Sequence, residues 1–547
     1  LELTPPTEED NISCQRRILN ALMDAGYGET VMTVSVLRAL HPLCREAGWK
    51  VTATLAYDGG RWHIAALEAG NTAAEHYGLA VDLGSTTVVM QLVNCNTGEV
   101  IAQESAYNHQ IAFGEDILTR IFYGRGNAAH LEEIRQATVD TITELMDKIS
   151  EKSGICAERC ISMVLAGNTT MTHFLIGMDA FCVFSSPYAV CADQPGFLDG
   201  RELGIPIPGY VYCYPGKANY LGGDIISGLV ATGMHRRETI SLFFDVGTNG
   251  ELVVGNRDFL LCGAGAAGPA LEGGVVKTGM RAADGAVEHV RMRRSKTENG
   301  ADLFRSEKNA ESELGVAGQC FRRKSETDAL RNASDSEFEV DVIGGGAAKG
   351  ICGSGIIDLI TELVLCGDLD LRGRLVPENS GRVIWRQQEA EYAVSYAPGL
   401  WFYQSDISEF IRTKAAAYTM MEYLLSETGM GPDDVRDFYM AGAFGSHVRT
   451  ESAINIGMYP DVDPTRIHAE GNTSLEGARK LLLDVEILRE LPRILELMTY
   501  VQFGAVEDFL EIMVAASALP HTDIERYPSV AARLAANRKA GENAVLR

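Results

Sequence analysis

Leu79-Ala80-Val81-Asp82-Leu83-Gly84-Ser85-Thr86-Thr87-Val88-Val89 and Phe243-Phe244-Asp245-Val246-Gly247-Thr248-Asn249-Gly250-Glu251-Leu252-Val253 share one pattern. Each reads as strand, Asp-x-Gly-[Ser/Thr]-[Thr/Asn], strand. A hairpin turn carrying Gly lets backbone N–H groups approach phosphate oxygens with no Cβ in the way, and small hydroxyl residues add donors. An Asp at the strand end can hold a hydrated Mg²⁺ against those phosphates. One such loop is weak evidence, because an Asp-Gly turn closes a hairpin equally well without a ligand. Two copies, each opening an α/β segment, fit an internally duplicated fold that grips a nucleotide with both loops, and they predict that Asp82 and Asp245 converge.

Working outward, further Gly-rich loops precede helical stretches. Ala441-Gly442-Ala443-Phe444-Gly445 and Ala469-Glu470-Gly471-Asn472-Thr473-Ser474 offer backbone for a nucleoside to lie on, and as isolated loops they are equally strand-to-helix turns. Gly167-Asn168-Thr169-Thr170 and Gly350-Ile351-Cys352-Gly353-Ser354-Gly355 put small residues at helix N-termini, where the dipole and free N–H groups favour anions. Asp224, in Tyr220-Leu221-Gly222-Gly223-Asp224, is either a charge in the first turn of a helix or a residue facing a nucleophilic water.

The chain has 547 residues, more than one core serves, so several domains are expected. Residues 1–76 read as a small α+β domain. Ile18, Leu19, Leu22 and Met23 recur at helical spacing, a second helical pattern runs from Thr33 to Ala47, and two alternating runs flank the turn Asp58-Gly59-Gly60. Residues 77–240 and 241–520 read as two α/β lobes. A charged, aperiodic stretch at 291–339 reads as a mobile surface insertion, and 521–547 as a polar peripheral tail.

With 48 basic and 74 acidic residues the net charge is −26, which repels nucleic acid and anionic membranes. No apolar run reaches the roughly 18 residues of a membrane span and no signal peptide is legible, so a cytoplasmic enzyme is expected. The 12 cysteines contain no C-x-x-C pair. They read as buried or free thiols of a reducing compartment, and a metal or cluster site among them is not expected.

The order of these loops is similar to that of the acetate and sugar kinase, Hsp70 and actin superfamily. More narrowly, VDLGSTT, AGNTTMTHFLIG, YLGGDIISG, FDVGTNGELVVGN, AAGPALEGG, GICGSGIIDLI, AGAFGSH and EGNTSLEGA together resemble the reductive activators of corrinoid proteins. The resemblance implies duplicated actin/Hsp70/sugar-kinase-like (ribonuclease H-like) lobes that use ATP and Mg²⁺ to help return Co(II) corrinoid to Co(I) on a methyl-transfer protein. It implies Asp82 and Asp245 at Mg²⁺, with Asp224 as a third catalytic candidate. Gly84, Ser85, Thr86, Thr87, Gly247, Thr248 and Asn249 would meet phosphate, and Gly442, Ala443, Phe444, Gly445, Gly471 and Asn472 would border the nucleoside. The expected partners are a corrinoid protein and an electron donor such as ferredoxin, with a homodimer as the expected assembly. Family members commonly carry an N-terminal [2Fe-2S] module, whose four close cysteines do not occur here. The opening Leu1-Glu2-Leu3-Thr4-Pro5-Pro6 looks like the linker after such a module, and cobalt reduction by this chain alone is not expected. A small-molecule kinase on the same fold is the alternative, with Asp224 as its catalytic Asp, and a non-catalytic ATP-binding scaffold is a third reading.

Overall fold

A computed structural model describes residues 1–247, 250–265, 274, 276–293, 295–296, 302–303, 337–506 and 508–545. The chain divides into two compact units, Leu1–Arg236 with Asn472–Tyr500, and Arg237–Gly471 with Val501–Arg547.

The first unit opens with helices α1 (Cys14–Asp24) and α2 (Val34–Glu46), each started by a hydroxyl cap: Ser13 accepts from the Arg16 amide and Thr33 from that of Val36. Ile18 and Leu22 on α1 and Val36, Leu40 and Cys44 on α2 are buried with Val51 and Ile64, while Met23 of the same periodic run is 61% exposed. Strands β2 (Val51–Tyr57) and β3 (Trp62–Ala69) form the expected hairpin, and β1 (Thr30–Met32) adds to β3 in parallel.

The hairpin turn is held by Asp58, whose Oδ1 accepts the amides of Gly60 at 2.8 Å and Arg61 at 2.7 Å, while Oδ2 lies 2.6 Å from His63 Nε2. Burial would push this carboxyl up; the Arg61 and Gly60 amides and the His63 ring outweigh it and hold it at about 2. A folded pKa below the unfolded one gives stability that is present above about pH 4 and lost as pH falls through about 2. Asp58→Ala is expected to lose about 1 kcal/mol at neutral pH, discounted for the turn's exposure, and to flatten that part of the acid-side decline. Denaturant titrations of both proteins between pH 2 and 7 measure it.

The rest of the first unit is built on a sheet of order β6-β5-β4-β7-β9-β8. Its strands are β4 (Tyr77–Leu83), β5 (Thr87–Asn94), β6 (Val100–Tyr107), β7 (Ser162–Gly167), β8 (Gly196–Asp199) and β9 (Tyr210–Cys213). Strands β4, β5 and β6 form an antiparallel meander, and β7 and β9 add to β4 in parallel. Side chains alternate across a strand. Leu79, Val81 and Leu83 therefore enter a core with Ile134, Ile142, Leu145 and Ile149 of the helix Ala128–Ser153. Gly78 and Asp82 face the helix Thr473–Leu483, where a Cβ on Gly78 would stand 2.8 Å from Leu482 Cδ1. That helix touches the helix Gly223–Thr232 so closely that a Cβ on Gly477 would lie 2.0 Å from the Ser227 carbonyl.

The second unit repeats the topology. Strands β10 (Ser241–Val246), β11 (Gly250–Gly255) and β12 (Leu260–Gly265) form an antiparallel meander, and Asp437–Ala441 and then Ile467–Gly471 add to β10 in parallel. Two sheets sharing the order 3-2-1-4-5 show the α/β duplication that the paired loops predict. The helices Gly353–Cys366 and Gln404–Glu427 supply much of this unit's core. Lys414 is fully buried and donates to the carbonyls of Ala516, Ala518 and Pro520. The polar 521–547 stretch sends Tyr527 and Val530 into the same core, and Tyr527 donates to the Tyr459 carbonyl at 3.2 Å.

Most of the 291–339 insertion lies outside the described residues. Its two ends are neighbours: Arg291 pairs with Glu339 and Met292 with Phe338, and the Arg293 amide donates to Glu337 O at 2.8 Å. Replacing 294–336 by a two-residue Asn-Gly turn preserves this ladder. The melting temperature is expected to move by no more than about 3 °C; loss of the cooperative transition would identify the insertion as structural.

Candidate functional site

In both units the Asp of the loop motif occupies the same place. Asp82 pairs with Ala166 in the neighbouring parallel strand, and Asp245 pairs with Ala441. Each Ala is followed by Gly, pressed against the carbonyl one residue beyond the Asp. A Cβ on Gly167 would lie 3.0 Å from Leu83 O, and one on Gly442 would lie 2.6 Å from Val246 O. The segments Ala166-Gly167-Asn168-Thr169 and Ala441-Gly442-Ala443-Phe444 are thus the same element of the repeat. Both stand at the carboxyl ends of parallel strands, where open α/β sheets take ligands.

The first loop is tied down through its carbonyls. Asn108 donates its Nδ2 to Gly84 O at 3.0 Å and its amide to Thr86 O at 2.9 Å. Arg120 donates Nη1 to Ser85 O at 2.5 Å and Nε to Gly114 O at 2.8 Å. Arg120 is fully buried, and burial lowers its pKa to about 10, so it remains a cation at neutral pH. Gln110, itself anchored to Thr138 Oγ1 at 2.6 Å, accepts from the same guanidinium at 3.3 Å. In a planar trans peptide the N–H points opposite to the C=O. Because the Gly84 and Ser85 carbonyls are drawn into the protein, the Ser85 and Thr86 amides point away from it. A Cβ on Gly84 would stand 2.4 Å from Thr87 O, so the turn requires glycine.

Asp82 is half-buried beside this loop. Its Oδ1 accepts from Ser474 Oγ at 2.8 Å and its Oδ2 from Asn472 Nδ2 at 2.7 Å. Burial raises its pKa, and these two hydrogen bonds oppose the rise. Asn472 also caps the helix Thr473–Leu483, its Oδ1 accepting the Leu475 amide at 2.8 Å. Asp224 lies in the first turn of the helix Gly223–Thr232, where its Oδ1 accepts the Ile225 amide at 2.9 Å. A Cβ on Gly222 would stand 2.5 Å from Asn168 Cα, which places the start of that helix against the carboxyl end of β7.

In the second unit, register aligns Asp245, Ala441 and Gly471 across three adjacent strands. A Cβ on Gly442 would stand 3.0 Å from Asp245 Oδ1, and Gly442 and Gly471 have φ of 85° and 65°, in the left-handed region. Gly445 follows in the short helix Gly442–His447. Thr248 and Asn249, and the side chains of Ala443 and Phe444, lie outside the described residues.

The first unit therefore brings together Asp82, the Gly84–Thr87 turn and Asn472; the second brings together Asp245, Gly442 and Gly471. Sequence reasoning missed Asn108, Gln110 and Arg120, and placed Ser474 only in the nucleoside loop and not at Asp82. Ser474 carried a signal in its place two residues beyond Asn472, whereas Asn108 and Arg120 carried none. The residues present fit a Mg²⁺–nucleotide: outward amides, a glycine turn with no room for a side chain, and a carboxylate at the adjoining strand end. They do not fit a four-thiolate cluster: among the described residues the one grouping of metal-ligating type is His173, Cys182 and Cys191.

The duplicated sheet with its carboxylate and phosphate-type loop defines a protein of the ASKHA class, and comparison with known families agrees. Residues 1–74 match the RACo linker region, 77–237 the RACo middle region, and 239–531 the C-terminal domain of RACo, the ASKHA domain. The chain belongs to the RACo family. It is 28% identical over 454 residues to the corrinoid activation enzyme RamQ of Eubacterium limosum, covering 80% of this chain and 69% of that protein. It is 24% identical over 443 residues to a [Co(II) methylated amine-specific corrinoid protein] reductase of Methanosarcina barkeri, covering 77% and 73%. A solved structure of a reductive activator for corrinoid, iron-sulfur protein superposes with a TM-score of 0.81 at 31% identity, covering 97% of this chain and 80% of that one. Among the described residues no helix is long and apolar enough to cross a membrane.

Proposed function

We propose that this chain is an ATP-dependent reductive activator of corrinoid proteins, coupling ATP binding and hydrolysis to the return of Co(II) corrinoid to Co(I) in a methyl-transfer system. The observation that carries the ATP part is the recurrence of Asp beside Ala-Gly in two copies of one sheet, next to a loop whose carbonyls are pulled inward. The corrinoid part rests on the relatives, each named for that role.

In this reading Asp82 and Asp245 hold the waters of Mg²⁺. The ion neutralises phosphate charge and fixes the geometry of the triphosphate. The Ser85 and Thr86 amides donate to phosphate oxygens, with Gly247, Thr248 and Asn249 serving the second loop in the same way. Gly442, Ala443, Phe444, Gly445 and Gly471 lie along the nucleoside. Asn472 and Ser474 orient the Asp82 carboxylate and leave lone pairs on both oxygens for water. Asp224 orients the attacking water.

Nucleotide state acts on the partner by differential affinity for two arrangements of the complex. The partner is a corrinoid protein, the electron comes from a separate donor of the ferredoxin kind, and a homodimer is the proposed assembly. The test is ATP hydrolysis measured with a Co(II) corrinoid protein and, separately, with small hydroxyl acceptors. Turnover only with an acceptor would identify a kinase.

A further inference from the structure

A second group of residues is formed by the helix Thr169–Ile176 and the segment that follows it. His173 is fully buried on that helix, and its Nδ1 is 2.7 Å from the Thr169 carbonyl oxygen. A carbonyl only accepts, so Nδ1 carries the proton and Nε2 keeps the lone pair. Nε2 is buried and has no hydrogen-bond partner. A buried acceptor left without a donor is destabilising, which calls for a ligand.

Two thiols stand beside it. Cys182, in the short helix Phe181–Phe184, and Cys191, on the loop that follows, place their Sγ atoms 3.5 Å apart. One ring nitrogen of His173 and both sulfurs fall within 4.8 Å of one another. Asp179 fixes the start of this segment, its Oδ1 accepting the Phe181 amide at 2.8 Å and its Oδ2 the Gly126 amide at 3.1 Å.

We propose that His173, Cys182 and Cys191 form a binding site for a thiophilic divalent cation of the zinc class, with Nε2 and the two thiolates as ligands. Two thiolates each ~2.3 Å from a tetrahedral ion stand ~3.8 Å apart, close to the spacing found here. Imidazole whose second nitrogen donates to a backbone carbonyl is the usual form of a metal-ligating histidine. Two thiolates also balance the ion's charge, so its burial carries no net penalty of sign. Each thiol also lies 3.7 Å from the Asp179 carbonyl oxygen; that carbonyl or a Cys182–Cys191 disulfide would serve the sulfurs alone and leave Nε2 unpaired, whereas a cation takes Nε2 together with both sulfurs. Cys191 is exposed, which gives the ion a path in. Three protein ligands leave a fourth position for water. The site ties the 179–191 segment to the helix capped by Asn168, and it stands independently of the ATP reading.

The test uses the full chain, purified with reductant and stripped with a chelator, then titrated with Co²⁺ and back-titrated with Zn²⁺. One equivalent of Co²⁺ is expected to give a thiolate charge-transfer absorption that Zn²⁺ abolishes. Cys191→Ser, at an exposed position that does not threaten folding, and His173→Gln should each weaken binding by at least about tenfold. Zn²⁺ should raise the melting temperature of the parent chain but not of Cys191→Ser. Absence of the charge-transfer band, unchanged binding in Cys191→Ser, or a Cys182–Cys191 disulfide that persists under reductant would overturn the proposal.

Discussion

Asp245→Asn is expected to lower Mg²⁺-dependent ATP turnover by about 10²–10³-fold while shifting the melting temperature by only a few degrees. The substitution keeps the shape of the side chain and removes a charge from the surroundings of the metal. A Cβ on Gly442 would stand only 3.0 Å from Asp245 Oδ1, and an isosteric amide adds no bulk to this space. Steady-state hydrolysis at saturating Mg²⁺–ATP, with a thermal scan of the same preparation, separates lost chemistry from lost folding. Full turnover in this variant would remove Asp245 from the site.

Arg120→Met carries the second large effect, and here stability and binding fall together. The guanidinium donates to the carbonyls of Ser85 and Gly114 and to Gln110 inside the first unit. Its removal leaves buried Gln110 and the half-buried Ser85 and Gly114 carbonyls without that donor, at about 2–4 kcal/mol. With Ser85 O released, the Thr86 amide loses its fixed outward direction, and ATP affinity should fall by about 10–100-fold. A fluorescent-nucleotide titration below the lowered melting temperature measures the second effect. Unchanged affinity would mean that the loop is held without Arg120.

What the sequence disclosed divides along a physical line. Local demands were legible. A turn that admits no Cβ must be glycine, so Gly84 marked the first loop, and a helix that buries one face must repeat, so Ile18 and Leu22 marked α1. Period failed at Met23, which faces solvent because the stripe on α1 is narrower than its run of apolar residues. Strand β1 was hidden by its length of three residues.

Non-local demands were not legible. Arg120 sits among Ile117, Leu118, Ile121 and Phe122, where a charge reads as the solvent face, yet Arg120 is buried while Leu118 and Phe122 are 44% and 50% exposed. The carbonyls of Gly114 and of Ser85 in a distant turn, with Gln110, explain that inversion. Asn472 and Ser474 read as the edge of a nucleoside loop, while their bonds run to Asp82, nearly four hundred positions earlier. The equivalence of Ala166-Gly167 with Ala441-Gly442 was present in the letters but lacked meaning until the strand registers placed each beside its Asp.

Corrinoid activation by this chain is tested by following ATP hydrolysis and the cobalamin absorbance spectrum together, with the isolated chain, a Co(II) corrinoid protein and a ferredoxin-like donor added in turn. Slow Mg²⁺-dependent hydrolysis by the chain alone, a changed rate once the Co(II) corrinoid protein is added, and conversion to the Co(I) spectrum only when donor and ATP are both present are the expected results. A hydrolysis rate indifferent to the corrinoid protein, or cobalt reduction by this chain without a donor, would contradict them.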